Sequence, residues 1–254
     1  MTRGDDIDYW RRDSIWGNAL DRPLCRGMEW LLEKWLFARS AGRLSEMRIL
    51  SGGCATGRIE FYMESRGGGG GDKTAFDFVP EFVENARREA RLRGSEVSFF
   101  LGDMRDLPDV RDESRDYVVY LNRLLCCVDG EGSDRALAEA RRVLSGDGIL
   151  LMDVLDYDSR KWNAPLSLFL KMVWALQGKK LRPQTLPRIR DKDGAVNIKF
   201  WRTNQNLLYW FKKEELKRKL EKNGFEVMDI VKESDIFSEP EVLYGFYVAC
   251  KKMS

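Results

Sequence analysis

The sequence contains no histidine. That absence removes a Ser-His-Asp triad, a Cys-His dyad and any His-ligated metal. A general base would have to be a carboxylate, Tyr, Lys, a thiolate or water. Cysteine is sparse too. Cys25, Cys54, Cys126, Cys127 and Cys250 form no C-x-x-C pair, which argues against a zinc site or a disulfide scaffold. No apolar run reaches the roughly 20 residues of a membrane helix, and the opening MTRGDDIDYW has no apolar signal region. These absences read as an intracellular, cytoplasmic chain without a membrane span.

What is present fits a well-packed globule. Hydrophobic residues make up 43% and charged residues 33% of 254 positions, enough for one large domain or a core domain carrying an insertion. Net charge is only +2, yet residues 179–202 hold eight Lys or Arg against two Asp. The C-terminal half therefore carries a basic stretch and the remainder is net acidic.

Periodicity organises the chain. Residues 23–37 place Leu24, Met28, Leu31, Leu32, Trp35 and Leu36 at helical spacing. From Met47 strands and helices alternate. Strands are expected at 48–51, 73–78, 97–101, 116–122 and 149–155, with helices at 56–64, 80–93 and 133–144 between them. That rhythm implies a parallel sheet covered on both faces. It breaks at 157–202, where an apolar helix at 166–176 precedes the basic stretch. A strand-like run at 206–211, a helix at 213–222 and strands at 225–231 and 242–250 follow. The short spacing of the last two strands favours an antiparallel ending.

The segment SGGCATGRIE, residues 51–60, follows the first strand. Glycines let backbone approach a ligand closely. By itself the segment reads equally as a structural turn. Asp77 lies twenty residues beyond Gly57, at the end of the second strand, where a carboxylate can accept both hydroxyls of a ribose. Its alternative is a stabilising carboxylate at the start of the next helix. Asp103 falls just past the third strand, where it can meet the amino group of an adenine while Met104 packs on the ring. A solvated polar loop is the alternative there.

The ordered set ILSGGCATGRIEFYM, TAFDFVPEFVENARREA, VSFFLGDMRDLP, YVVYLNRLL, ARRVLSGDGILLMDV and LEKNGFEVMDI resembles the successive motifs of class I S-adenosylmethionine-dependent methyltransferases. The resemblance covers about residues 47–156 and 206–250. It implies an α/β, Rossmann-like fold: a seven-stranded, mostly parallel sheet with helices on both faces and an antiparallel last strand. Residues 1–45 would be an N-terminal helical extension over the cofactor site. Residues 46–254 would be the methyltransferase domain, with a lid-like insertion at 157–205.

The implied cofactor is S-adenosyl-L-methionine, leaving as S-adenosyl-L-homocysteine, with no metal. Gly53, Cys54, Ala55 and Gly57 would line its methionine portion. Asp77 would hold the ribose, Phe78 would pack on the adenine and Asp103 with Met104 would complete the adenine pocket. Asn122 would sit beside the methyl donor. Candidates for a catalytic role are Asn122, Asp156 and Tyr157, with Asp153, Tyr9 and Trp10 as further possibilities.

Two departures stand out. Ser51 replaces the usual acid of the first motif, and Ala55 replaces its middle glycine. Ala55 is a modest change at negative φ and a costly one at positive φ. The acceptor is read as a small molecule. An RNA acceptor on the basic insertion (Lys179, Lys180, Arg182, Arg188, Arg190, Lys199, with Trp201 and Trp210 to stack) is the alternative. A non-catalytic methyltransferase-like subunit is a third reading and a nicotinamide-dependent oxidoreductase a fourth. Cys126 and Cys127 read as a buried structural pair, and Gly67 to Gly71 as a surface turn.

Overall fold

The computed structural model describes residues 23–159 apart from 69, 70 and 129, residues 208–253 apart from 243, and positions 169, 172, 173, 175, 176, 185 and 186. The expectations for Tyr9 and Trp10, and for the basic residues of the insertion and Trp201, lie outside the described residues.

In chain order the main elements are α1 (Arg26–Leu32), β1 (Ile49–Gly52), α2 (Arg58–Met63), β2 (Lys73–Asp77), α3 (Pro80–Arg93), β3 (Ser98–Leu101) and β4 (Arg115–Tyr120). Then come α4 (Gly130–Val143), β5 (Leu144–Leu155), α5 (Lys213–Lys222), β6 (Phe225–Val231) and β7 (Gly245–Lys252). The seven strands form one sheet in the order β3-β2-β1-β4-β5-β7-β6. The first five pair in parallel, and β7 runs antiparallel to both of its neighbours. This is the expected Rossmann-like architecture with its antiparallel last strand.

Alternation along the strands builds two cores. One face of the sheet, with Leu50, Phe76, Val118, Leu150 and Val248, packs on Ala136, Leu137 and Ala140 of α4 and Leu216 and Leu220 of α5. The other face, with Ile49, Val119, Leu151, Tyr247 and Ala249, receives Leu31, Leu32 and Leu36 from α1 and its continuation. A smaller cluster seats Val83, Ala86 and Ala90 of α3 on Ala75 and Phe99. Helix α3 begins with Pro80, whose missing N–H is no loss in a first turn, and ends at Gly94 with φ +64°.

Helix α1 is docked by a buried carboxylate. Glu233 accepts hydrogen bonds from the N–H of Gly27 (3.0 Å) and the hydroxyl of Tyr247 (2.8 Å). It also accepts the N–H groups of Glu241 (2.7 Å) and Val242 (2.8 Å). A Cβ on Gly27 would fall 2.1 Å from Cζ of Tyr247, so the helix sits this close only because position 27 is glycine.

The structure moves some boundaries. The last strand starts at Gly245 rather than 242, because the Val242 N–H is spent on Glu233. Strand β5 starts at Leu144, which pairs with Arg115 across an irregularity in register. Within the run expected at 206–211, the described residues include the two-residue strand Leu208–Tyr209, paired with Thr185–Leu186, and Phe211, which bridges to Asp156. In the segment 166–176 the described positions 169, 172, 173, 175 and 176 are helical, and the side chains of Phe169, Met172 and Leu176 are exposed. Among the described residues no helix is long and apolar enough to cross a membrane.

Candidate functional site

The loop after β1 is a run of unusual backbone. Gly53, Ala55 and Gly57 have φ of +67°, +46° and +88°. Ala55 therefore adopts the left-handed conformation that a Cβ disfavours. Backbone bonds tighten the loop: Cys54 N–H donates to the Phe76 carbonyl (3.0 Å) and Gly57 N–H to the Cys54 carbonyl (2.8 Å). The Cys54 side chain turns into the cluster around Phe61 and Val83, and burial pushes its thiol well up.

Asp77, at the end of β2, holds this loop. One carboxylate oxygen accepts the Ala55 N–H and the other the Val79 N–H, each at 3.0 Å. The residue is 5% exposed, and burial pushes its carboxyl up to about 6 against the pull of the Val79, Ala55 and Phe78 amides. An ionised carboxylate has about four lone-pair sites. These two bonds leave acceptor capacity on the edge that lines a cleft.

That cleft lies beyond the carboxyl ends of β1, β2, β3 and β4. Of the residues expected at a cofactor site, Gly53, Asp77, Phe78, Asp103 and Met104 line it together. Cys54, Ala55, Gly57 and Asn122 do not form its wall. Arg105, Leu124 and Val128, which the sequence does not single out, also line it, as does Cys127, read from sequence as one of a buried structural pair. The last three come from the segment after β4, whose left-handed start at Arg123 leaves no mark in residue type. Cys126 is fully buried and its sulfur accepts the Leu155 N–H at 3.2 Å. Cys127 is only half-buried and stands at the cleft, so the two cysteines are not an equivalent buried pair.

The third wall is held from both sides. Arg105 grips the Asp103 carboxylate through Nη2 (2.6 Å) and Nε (2.9 Å), and its own N–H adds a third bond (3.0 Å). Behind it, Arg142 of α4 donates to the carbonyls of Leu107 and Val110, both at 2.8 Å. Glu139 accepts the Leu107 N–H (2.8 Å).

After β4, Asn122 and Arg123 are both left-handed, at φ +59° and +60°. Asn122 Oδ1 accepts from Arg58 Nη2 (3.1 Å), tying this turn to the start of α2. Arg123 N–H donates to the buried Asp153 carboxylate (2.9 Å), whose carboxyl is pushed up by burial and drawn down by Arg123. Asp156 has no exposed surface and pairs with Lys232 Nζ at 2.5 Å. Tyr157 lies with Lys212 Nζ 5.2 Å above its ring. Asn122, Asp156 and Tyr157 are thus each engaged with a cation of the chain. Among the described residues no group of side chains could hold a metal ion.

A last pair lies behind the loop. Ser51 and Glu60 are each 2% exposed. Burial pushes the Glu60 carboxyl up to about 7, while the facing Ser51 hydroxyl, its own N–H and Arg58 favour ionisation. No hydrogen bond of good geometry reaches either Glu60 oxygen or the Ser51 hydroxyl.

Residues 49–148 match the family model described as a methyltransferase domain. No curated protein matches the chain by sequence. Solved structures share the fold. An S-adenosylmethionine-dependent methyltransferase from Methanosarcina mazei is 21% identical, with 82% of this chain and 93% of that one covered at a TM-score of 0.61. The 1,6-didemethyltoxoflavin-N1-methyltransferase of Burkholderia thailandensis, solved with 1,6-didemethyltoxoflavin and S-adenosylhomocysteine, is 16% identical. There the coverage is 99% of this chain and 87% of that one, at a TM-score of 0.60. A Rhodobacter sphaeroides protein described among zinc-dependent alcohol dehydrogenases is 15% identical, with 98% of each chain covered and a TM-score of 0.68. At these identities the likeness carries the fold and leaves the chemistry to the site.

Proposed function

We propose that this chain, whose residues 49–148 match a methyltransferase-domain model, is a class I S-adenosylmethionine-dependent methyltransferase that transfers a methyl group to a nucleophilic O, N or C of a small-molecule acceptor in the cytoplasm. One observation carries the reading. Gly53, Asp77, Phe78, Asp103 and Met104, from three successive strand ends, line a single cleft.

The residues fit S-adenosylmethionine. After serving the Ala55 and Val79 amides, Asp77 would keep acceptor capacity for the ribose. Phe78 and Met104 supply apolar surface for an adenine. Asp103 would accept its amino group alongside Arg105, since a carboxylate can serve both. When bound, the cofactor supplies a sulfonium methyl, already an activated electrophile. The protein's work is then to orient an acceptor behind it and exclude water. Gly53 gives the backbone close approach on one side. Residues 1–45 and the insertion 157–205 would cover the cleft and shape the acceptor site.

A non-catalytic, cofactor-free subunit is the second reading. The left-handed Ala55 favours it, because strain in the loop works against a preorganised site. Calorimetric titration with S-adenosylmethionine and S-adenosylhomocysteine decides between the two. Saturable heat and a thermal shift are expected. No heat and no shift at millimolar ligand would overturn the enzyme reading.

A further inference from the structure

We infer that Glu60 supplies, from behind the 53–57 loop, the negative charge that fixes the α-ammonium of the cofactor's amino-acid end, where Ser51 offers only a hydroxyl. The inference rests on the methyltransferase reading.

Glu60 is 2% exposed, and although the Ser51 hydroxyl faces it, no hydrogen bond of good geometry reaches either carboxylate oxygen. A buried carboxylate in that condition is costly, and a soluble protein keeps one where a ligand completes it. Three elements face it: Ser51 from β1, Cys54 from the loop and Asp77 from β2, with Arg58 on its own helix. Ser51 and Cys54 bring no charge. Asp77 brings a second negative one. Arg58 is turned elsewhere, with Nη2 on Asn122 and Nη1 on the Pro23 carbonyl. Two carboxylates thus flank one loop, and the neighbouring guanidinium of Arg58 spends hydrogen bonds on Asn122 and Pro23.

Such an arrangement stays partly protonated until a cation arrives. Burial holds Glu60 near 7 and Asp77 near 6. An ammonium entering beside the loop favours both ionised forms, so binding near neutral pH releases protons. The charge would act at the amino-acid end, because Asp77 lines the cleft where the ribose is proposed to sit, while Glu60 stands against Ser51 and Cys54, at the root of the loop.

Three ligands separate the possibilities: S-adenosylmethionine, S-adenosylhomocysteine and 5′-methylthioadenosine, which lacks the amino-acid arm. Titration calorimetry at pH 8 compares wild type, Glu60→Gln and the double variant Ser51→Asp/Glu60→Ala, which moves the carboxylate across the gap. Glu60→Gln should weaken the first two ligands about tenfold or more, as loss of one charge-assisted contact does, and leave 5′-methylthioadenosine unchanged. The double variant should recover most of the loss. Titration near pH 7 in two buffers of different ionisation heat should show proton release in wild type, reduced in Glu60→Gln.

Unchanged affinity for S-adenosylhomocysteine in Glu60→Gln overturns the inference. Equal weakening of all three ligands also overturns it, since that marks a loop that has merely lost its shape. A wild-type protein that takes up none of the three overturns the methyltransferase reading itself, and is told apart by the absence of any binding to compare.

Discussion

Asp77 and Ala55, twenty-two positions apart, are joined by a 3.0 Å hydrogen bond from the Ala55 N–H to an Asp77 carboxylate oxygen. The same side chain caps the Val79 N–H, so one carboxylate fixes the glycine loop and the entry to α3 together. Asp77→Asn would turn an amide NH2 against one of these donors. Stability should fall by about 1–3 kcal/mol, the cost of an unsatisfied buried group. Affinity for S-adenosylhomocysteine should fall at least about tenfold. Urea denaturation and calorimetry on the same preparation measure the two effects; a change in stability alone would remove Asp77 from the ribose position.

Ala55 offers a gain. Its φ of +46° costs an L-residue roughly 1–2 kcal/mol, while glycine adds about 0.4–1 kcal/mol of unfolded-chain entropy. Ala55→Gly should therefore stabilise the protein slightly, by up to about 1 kcal/mol. A urea midpoint that moves downward would show that the loop tolerates the alanine without strain.

Acid–base behaviour follows from the two raised carboxyls, Glu60 at about 7 and Asp77 at about 6, both displaced upward by burial. Between the ordinary carboxylate range and these values the native state binds more protons than the unfolded chain. The stability they contribute is therefore present at low pH and lost as pH rises through about 6 to 7, at about 1.4 kcal/mol for each unit of displacement. Glu60→Gln should flatten this decline and raise the melting temperature at pH 8 by a few degrees. A variant that melts earlier than wild type at pH 8 contradicts the assignment. A group that weakens the free protein while strengthening its complex is the pattern expected of a binding residue rather than of a scaffold.

Glu233 should behave in the opposite way. It has no exposed surface, and four donors converge on it from α1, β7 and the segment before that strand. Glu233→Gln sets an NH2 against two of them and should cost at least about 2 kcal/mol. Limited proteolysis should then cut within residues 23–40, which α1 otherwise shields. Unchanged stability would show that apolar packing alone seats the helix.

Much of the fold could be read from strand and helix rhythm. Helices α3 and α5 and strand β6 fall where periodicity places them, because Pro80, Gly94 and the Leu216–Leu220 spacing are local signals. The site was legible as far as a residue type dictates a role. Gly53, Asp77, Phe78, Asp103 and Met104 were named in sequence and meet in one cleft. Two kinds of feature were not legible. The Arg105 clamp on Asp103 and the Glu233 hub are tertiary, made by side chains with no distinctive spacing. The left-handed turn at Asn122 and Arg123, which brings Cys127 to the cleft, is a backbone event that Asn122 tolerates and Arg123 does not announce.

Strand β7 is made on the ribosome after every other strand of the sheet, yet it lies between β5 and β6. Until it emerges, β6 has no neighbour to pair with and α1 lacks Tyr247 and Ala249 beneath it. The early helix and the late edge strand therefore wait for the same eight residues. The sheet cannot close before β7 is made, and a chain cut just before Gly245 would lose an interior strand of the sheet rather than an edge.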